Sequence, residues 1–342
     1  MKISEVLIKK YLDIKRDLPW RNTRDPYLIW LSEVILQQTR VNQGLPYFNA
    51  FAEAYPDVRQ LAEADEDEIL RLWQGLGYYS RARNMHATAK LIVEKFPDHF
   101  PVTYDELIRL KGIGPYTAAA VSSFAANEDR AVVDGNVIRV ISRFAGITAP
   151  VNSTPVRREI ERMAAEWLQP GTAALHNQAL MELGALICKP QNPLCRECPL
   201  QSACIAYRDG LTDRIPLKTK AAPKKERYLH YYLGSEGVQY LRKRGAGDIW
   251  QGLYEFPLYE TGSPEPGPLP SFAVNGTVPK LLQQSRHTLS HQLLHIRFWQ
   301  AELHADRLPG YEAVADEDLG RYGFPIVLRK FSNAFIAGEG LL

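Results

Sequence analysis

Through the first 205 residues apolar side chains recur every three or four positions, as in LIRL, AAAVSSFA, NVIRVISRFAGI and REIERMAAEWL. That period predicts helices with one face toward a core. Gly and Pro separate the periodic runs, at Pro19, Pro56, Gly75 and Gly77, Pro101, Gly112 to Pro115, and Pro170-Gly171. No strand pair shows here, so residues 1–206 are expected to be all-α. Residues 207–227, YRDGLTDRIPLKTKAAPKKER, are basic, polar and Pro-containing, and read as a linker. Over 228–342 the pattern changes to period two and β-formers. YLHYYLGSEGVQYLRKR predicts a hairpin turning at glycine. IWQGLYEFPLYE and HIRFWQAELH predict further strands, and TGSPEPGPLP (261–270) a loop. Residues 279–285 and 312–320 are expected to be short helices. The second domain is therefore α+β. No internal repeat is found.

At 342 residues the chain has room for two domains. Hydrophobic residues at 45% and charged residues at 23% exclude disorder as the dominant state. No uninterrupted apolar run approaches the ~18 residues of a membrane span. The N-terminal stretch carries charges every few residues, unlike a signal peptide, and a cytoplasmic protein is expected. The net charge of +2 names no partner. Residues 1–226 hold 30 Lys and Arg against 27 Asp and Glu, and the remainder 11 against 12. If the chain binds nucleic acid, the fold must gather its basic residues.

All four cysteines lie in one short stretch: Cys188, Cys195, Cys198 and Cys204, spaced by six, two and five residues. Disulfides are not expected in a reducing compartment. Zinc sites usually come as two short-spaced pairs divided by a longer insert, which this spacing fits poorly. An iron–sulfur cluster held by four thiolates fits better, with zinc as the alternative.

Three further motifs carry chemistry. In LKGIGPYTAAAVSSFA (110–125) Gly112 and Gly114 precede a helix opening at Pro115. The glycines let another backbone approach closely, and free N–H groups at the helix start suit a phosphate. This is the helix-hairpin-helix pattern, a sequence-independent clamp on the DNA backbone; a plain tight turn is the alternative. In AVVDGNVIRVISRF (131–144) Asp134 stands where a helix begins. It caps that helix, and the helix start favours its ionised form. In YLIWLSEVILQQTR (27–40) Glu33 sits in a helix that is apolar almost all round. It faces a cleft or is buried, and burial favours the neutral acid. One carboxyl held as acid and one as anion is the arrangement that cleaves a glycosidic bond through an oxocarbenium-like transition state.

LPWR (18–21), SEVILQQTRV (32–41), GLGYYSRARN (75–84), LKGIGPYTAAAV (110–121), VDGNVIRV (133–140), HNQALMELGALIC (176–188) and the cysteine spacing carry a resemblance. In order, they resemble the MutY family of adenine DNA glycosylases, within the endonuclease III superfamily of helix-hairpin-helix, iron–sulfur glycosylases. The resemblance implies removal of adenine mispaired with 8-oxoguanine in duplex DNA by a monomer carrying a 4Fe-4S cluster. It implies that Glu33 is the general acid and that Asp134 stabilises the sugar cation or bonds to it. Tyr116 and Asn136 would support these two. Trp20, Arg21, Leu36 and Gln178 would line the adenine pocket. Gln38 and Tyr78 would fill the stack beside the lesion. Residues 228–342 resemble, more weakly, the family's Nudix-like 8-oxoguanine recognition domain. The family's Phe-Ser-His is here Leu289-Ser290-His291. The polar pair would keep contact to the lesion, and Leu289 would not supply the family's aromatic ring.

Other classes fit less well. A lyase needs an amine nucleophile, and its relatives carry Lys where this chain has Tyr116. No Lys stands between Gly112 and Lys189. A non-enzymatic iron–sulfur module would not need Glu33 together with Asp134. A Nudix hydrolase would need an acidic box, and none follows EFPLYE.

Overall fold

The computed structural model describes residues 2–219, 223–234, 237–265, 267–274, 276 and 278–337. The chain divides into two compact units, Met1–Glu63 with Asn84–Lys220, and Ala64–Arg83 with Ala221–Leu342. Helices follow in chain order as α1 (Ile3–Ile14), α2 (Pro26–Ile35), α3 (Val41–Ala54), α4 (Val58–Glu63), α5 (Glu66–Leu72) and α6 (Ser80–Lys95). Then come α7 (Tyr104–Leu107), α8 (Pro115–Ala126), α9 (Gly135–Phe144), α10 (Thr154–Trp167), α11 (Ala173–Glu182) and α12 (Ile205–Arg208). The first unit contains no strand among its described residues. No helix of the described residues is long and apolar enough to cross a membrane.

Local chemistry sets the helix ends near the site. Asp25 caps α2 through Tyr27 N–H at 2.8 Å, with Pro26 in the first turn. Thr103 and Glu106 form a capping box on α7. Pro115 opens α8 behind an uncapped Gly114. Helix α11 runs on as a π-helical segment, Leu183–Ile187, which ends at Cys188. A core of Leu7, Tyr11, Val137, Ile141, Ile160 and Leu180 joins α1, α9, α10 and α11.

The second unit holds two sheets. One is ordered β4-β1-β6-β5, from β1 (Lys225–Leu233), β4 (Leu258–Thr261), β5 (Lys280–Thr288) and β6 (Gln292–Gln300). The other is β3-β2-β7, from β2 (Val238–Lys243), β3 (Tyr254–Glu255) and β7 (Glu312–Ala315). The expected hairpin over 228–244 is corrected here, because β1 and β2 enter different sheets. β1 pairs parallel to β6 and antiparallel to β4. Its last five residues are all buried, the pattern of a strand covered on both faces. The helix expected at 279–285 is instead part of β5, whose burial alternates with period two along β6. The stretch 312–320 is strand β7 followed by a 3-10 turn. A helix α13 (Ile326–Ile336), absent from the sequence reading, packs Phe331 flat against Phe298 of β6.

Segment 64–83 belongs to this second unit by its bonds. Gln74 Nε2 donates to the Phe324 carbonyl at 3.0 Å, and Arg83 donates to that of Gln251 at 2.6 Å.

Candidate active site

Eight of the residues singled out in the sequence line one cavity of about 160 Å³ in the first unit. They are Trp20, Arg21, Glu33, Leu36, Tyr116, Asp134, Asn136 and Gln178. Glu33 projects from the middle of α2, whose side chains are buried on every side from Ile29 to Ile35. Its carboxylate accepts a hydrogen bond of 2.7 Å from the Tyr116 hydroxyl at the start of α8. Burial pushes the Glu33 pKa up to about 7. The Tyr116 bond and the Arg21 charge pull it back, while the Asp134 charge adds to the rise.

Asp134 caps α9 by accepting the Val137 N–H at 2.8 Å. Its other oxygen accepts from Asn136 Nδ2 at 2.7 Å. The helix start alone would favour the anion, but burial acts the other way and is larger. The net shift of Asp134 is upward, opposed by the Val137 and Asn136 bonds. Both carboxyls are therefore raised, and Glu33 is the one brought to neutral pH.

The support behind Asp134 reaches the cysteine loop. Asn136 accepts from Arg139 at 2.8 Å, and Arg139 donates to the carbonyls of Gly184 and Cys188, each at 2.7 Å. A Cβ on Gly184 would lie 2.6 Å from that of Asn136, so only glycine lets the two segments meet. Arg143 clasps the same loop, donating to the carbonyls of Lys189 and Pro190 and lying 3.4 Å from Cys188 Sγ.

The four cysteines line a second cavity. Burial raises the thiols of Cys195 and Cys204, and that of Cys198 to about 11. Among the described residues no three His, Cys, Asp or Glu side chains converge as one metal ion requires. A single zinc needs four sulfurs at ~2.3 Å from one centre. The four thiols that would hold an iron–sulfur cluster line one shared cavity.

The other expected residues lie outside the cavity. Gln38 and Tyr78 are exposed and hold left-handed backbone, with φ of 57° and 49°. Side chains rarely adopt that region, and such strain collects at functional positions. Gly112, at φ 98°, would drive a Cβ to 2.4 Å from Thr88 Oγ1, whereas Gly114 has open space around it. Ser290 and His291 are exposed in the β5–β6 turn. Ser290 Oγ lies 2.8 Å from the Tyr78 hydroxyl. Leu289 packs partly into the second unit's core.

Sequence reasoning passed over Glu182, which has only 1% of its side chain exposed. It accepts paired bonds from Arg21 at 2.7 and 2.8 Å and from Arg16 at 2.6 and 2.9 Å. The signal was there, since HNQALMELGALIC surrounds this Glu with apolar residues much as α2 surrounds Glu33. Burial alone would raise its pKa, but the Arg21 and Arg16 bonds outweigh that and hold it at about 2. On the other side of the pocket wall the Tyr11 hydroxyl donates to Gln178 Oε1 at 2.6 Å.

Glu182→Gln is expected to leave two guanidiniums short of a counter-charge. Breaking a buried pair costs roughly 3–5 kcal/mol, and the low end applies because Arg16 keeps solvent contact. Unfolding in urea should show that loss above about pH 4.5, where the depressed carboxylate contributes in full. The difference from wild type should fade as the pH falls toward about 2. Equal stability of the two proteins at pH 7 would refute it.

A family model of HhH-GPD superfamily base excision DNA repair proteins matches residues 31–170, and a NUDIX domain model matches residues 231–334. An adenine DNA glycosylase of Buchnera aphidicola subsp. Schizaphis graminum is 34% identical over 297 residues, 86% of this chain and 85% of the relative. The chain belongs to the adenine DNA glycosylase family. The mouse (Mus musculus) adenine DNA glycosylase is 43% identical over 211 residues, 59% of this chain and 41% of the relative. Among solved structures, that of a thermostable thymine-DNA glycosylase superposes with a TM-score of 0.56 at 27% identity. It covers 60% of this chain and 95% of that one. As an adenine DNA glycosylase family member, the chain is a DNA N-glycosylase with a helical, helix-hairpin-helix first part. A protein named for thymine shares this fold, so the fold alone does not set which base is removed.

Proposed function

We propose that this chain removes adenine mispaired with 8-oxoguanine or guanine in duplex DNA, as a monofunctional, monomeric, cytoplasmic glycosylase. The observation that carries this reading is a buried carboxyl with a pKa near neutrality beside a second carboxylate in one base-sized cavity. The target adenine leaves the stack and enters that cavity, where contacts with Trp20, Arg21, Leu36 and Gln178 offset the unstacking. Glu33 protonates the departing base, since adenine leaves poorly as an anion. Tyr116 holds the Glu33 carboxyl by its hydrogen bond. Asp134, held by Asn136, stabilises the sugar cation or bonds to it.

Outside the cavity, Gln38 and Tyr78 fill the stack beside the lesion, a reading supported by exposed, left-handed backbone at each. The Gly112–Gly114 turn and the uncapped start of α8 receive a DNA phosphate. Cys188, Cys195, Cys198 and Cys204 hold a 4Fe-4S cluster that orders the loop from 188 to 204 and supplies no chemistry to bond cleavage. Ser290 and His291 read the 8-oxoguanine nucleotide.

The test is single-turnover excision on duplexes with adenine opposite 8-oxoguanine and opposite guanine. Wild type should prefer the first and leave the product strand unbroken until treated with base. Because segment 64–83 packs within the second unit, lesion reading is tested by substitution instead of deletion. Ser290→Ala with His291→Ala should cut the preference about 5- to 150-fold, the equivalent of roughly 1–3 kcal/mol. An unchanged ratio would place lesion reading elsewhere.

A further inference from the structure

One face of the four-stranded sheet presents aromatic rings and cations in register. Tyr228 of β1 pairs with His295 of β6, which pairs with Arg286 of β5. In the next row on the same face His230 pairs with Arg297, which pairs with Gln284. The intervening residues Leu229, Tyr231, Leu294, Ile296 and Phe298 point the other way, into the core under α13. The open face holds a groove of about 630 Å³, lined by Tyr228, Pro264, Gln284, Arg286, His295 and Arg297.

Its chemistry is that of a stacking platform. The Tyr228 and His295 rings stack at 4.7 Å with 18° between their planes. Behind them His230 accepts from Trp299 Nε1 at 3.2 Å, which fixes the next pair of rings. Among the described residues neither Arg286 nor Arg297 forms an ion pair with a carboxylate. The nearby Glu226 is engaged instead by the Tyr228 hydroxyl at 2.8 Å and lies 3.3 Å from His295 Nε2.

We propose that this face binds a single strand of DNA, with bases stacked on the Tyr228–His295 pair and phosphates on Arg286 and Arg297. Arg297 donates to the Pro264 carbonyl at 2.5 Å, a bond that leaves its charge without a counter-ion. Rings in a groove with guanidiniums that meet no carboxylate suit unstacked bases on a polyanion, and a duplex cannot offer its base faces to them. The platform also runs along the same β5–β6 hairpin whose turn carries Ser290 and His291. It goes beyond the excision reading, which needs none of these residues.

Fluorescence anisotropy of a labelled 12-nucleotide oligothymidylate with the full chain, over a series of salt concentrations, tests it. Arg286→Ala with Arg297→Ala should lower affinity at least tenfold and flatten the logarithmic salt slope by about 1.4, two contacts at ~0.7 each for single strands. Tyr228→Ala should weaken binding about fivefold or more with the slope unchanged, and Tyr228→Phe, which keeps the ring, should restore it. Excision from a duplex at saturating enzyme should be unaltered in all three. Unchanged affinity and slope in the double variant would overturn the proposal. So would displacement of the strand by thymidine monophosphate at equal nucleotide concentration, which would indicate a mononucleotide pocket. Parallel loss of excision would also overturn it, by making the face part of the duplex interface.

Discussion

Glu33→Gln should bind mispaired duplex normally and release adenine at least 10²- to 10⁴-fold more slowly than wild type, the usual range for losing a general acid. The amide keeps the shape of the carboxyl and can still accept the Tyr116 bond, so the cavity should stay intact. What it loses is the transferable proton. The same carboxyl sets a pH dependence with a definite sign. Its pKa is raised by burial to about 7, so at pH 6 most of the protein holds the acid form. The wild-type single-turnover rate should therefore fall as pH rises through about 7. In Glu33→Gln that limb should vanish along with the rate. Retention of most of the rate would remove Glu33 from the acid's role.

The value near 7 follows from where the carboxyl sits. A Glu on a solvated helix face would be ionised and unable to donate. Helix α2 offers no such face, because it is covered by its neighbours on all sides. The sequence announced this through an apolar run with a single carboxyl in it. Asp134 was legible as a cap before a helix, whereas Tyr116 came only from the family resemblance. What the run of letters could not show was long-range pairing. Glu182 meets Arg16 and Arg21 across more than 160 positions, so no local window contains the group. The strands 228–233 and 238–243 were visible by period two, but that period does not name a partner. Parallel pairing of β1 with β6 depends on a chain segment some sixty residues away. The stretch LLQQSRH contains apolar and polar residues in an order that suits a short helix as well as a strand. Its pairing with β6 decided it. The segment 64–83 reads as helical and turn-forming, and nothing in its composition announces that it packs with residues beyond 250.

The helix start at Asp134 makes its amide variant unusually informative. Asn is as good an N-cap as Asp, so Asp134→Asn should keep the Val137 bond and hold α9 in place. Its thermal midpoint should stay close to wild type, because replacing a buried carboxyl raised above its ordinary pKa by a neutral group offsets the lost Asn136 bond. Catalysis should fall instead. An amide dipole offers a sugar cation far less than a full negative charge at the same position, and it cannot form a bond to the cation. Loss of such a preorganised group elsewhere costs about 10²- to 10³-fold, and Asp134→Asn should lose at least that in single-turnover rate. The Asn136 contact sharpens the test. Its Nδ2 now donates to Asp134 and its Oδ1 accepts from Arg139, which fixes the direction of the amide. In Asp134→Asn the single side-chain oxygen can keep the Val137 bond, and the new Nδ2 then takes the place of the oxygen that accepted from Asn136, donor against donor. A donor would then stand where the mechanism needs an anion. Asp134→Ala should be less stable than Asp134→Asn by about 1 kcal/mol, from loss of the cap, and equally inactive. Stability and activity would then separate across the three proteins, which a merely structural cap could not produce. Activity that tracked stability through the series would assign Asp134 to the helix alone.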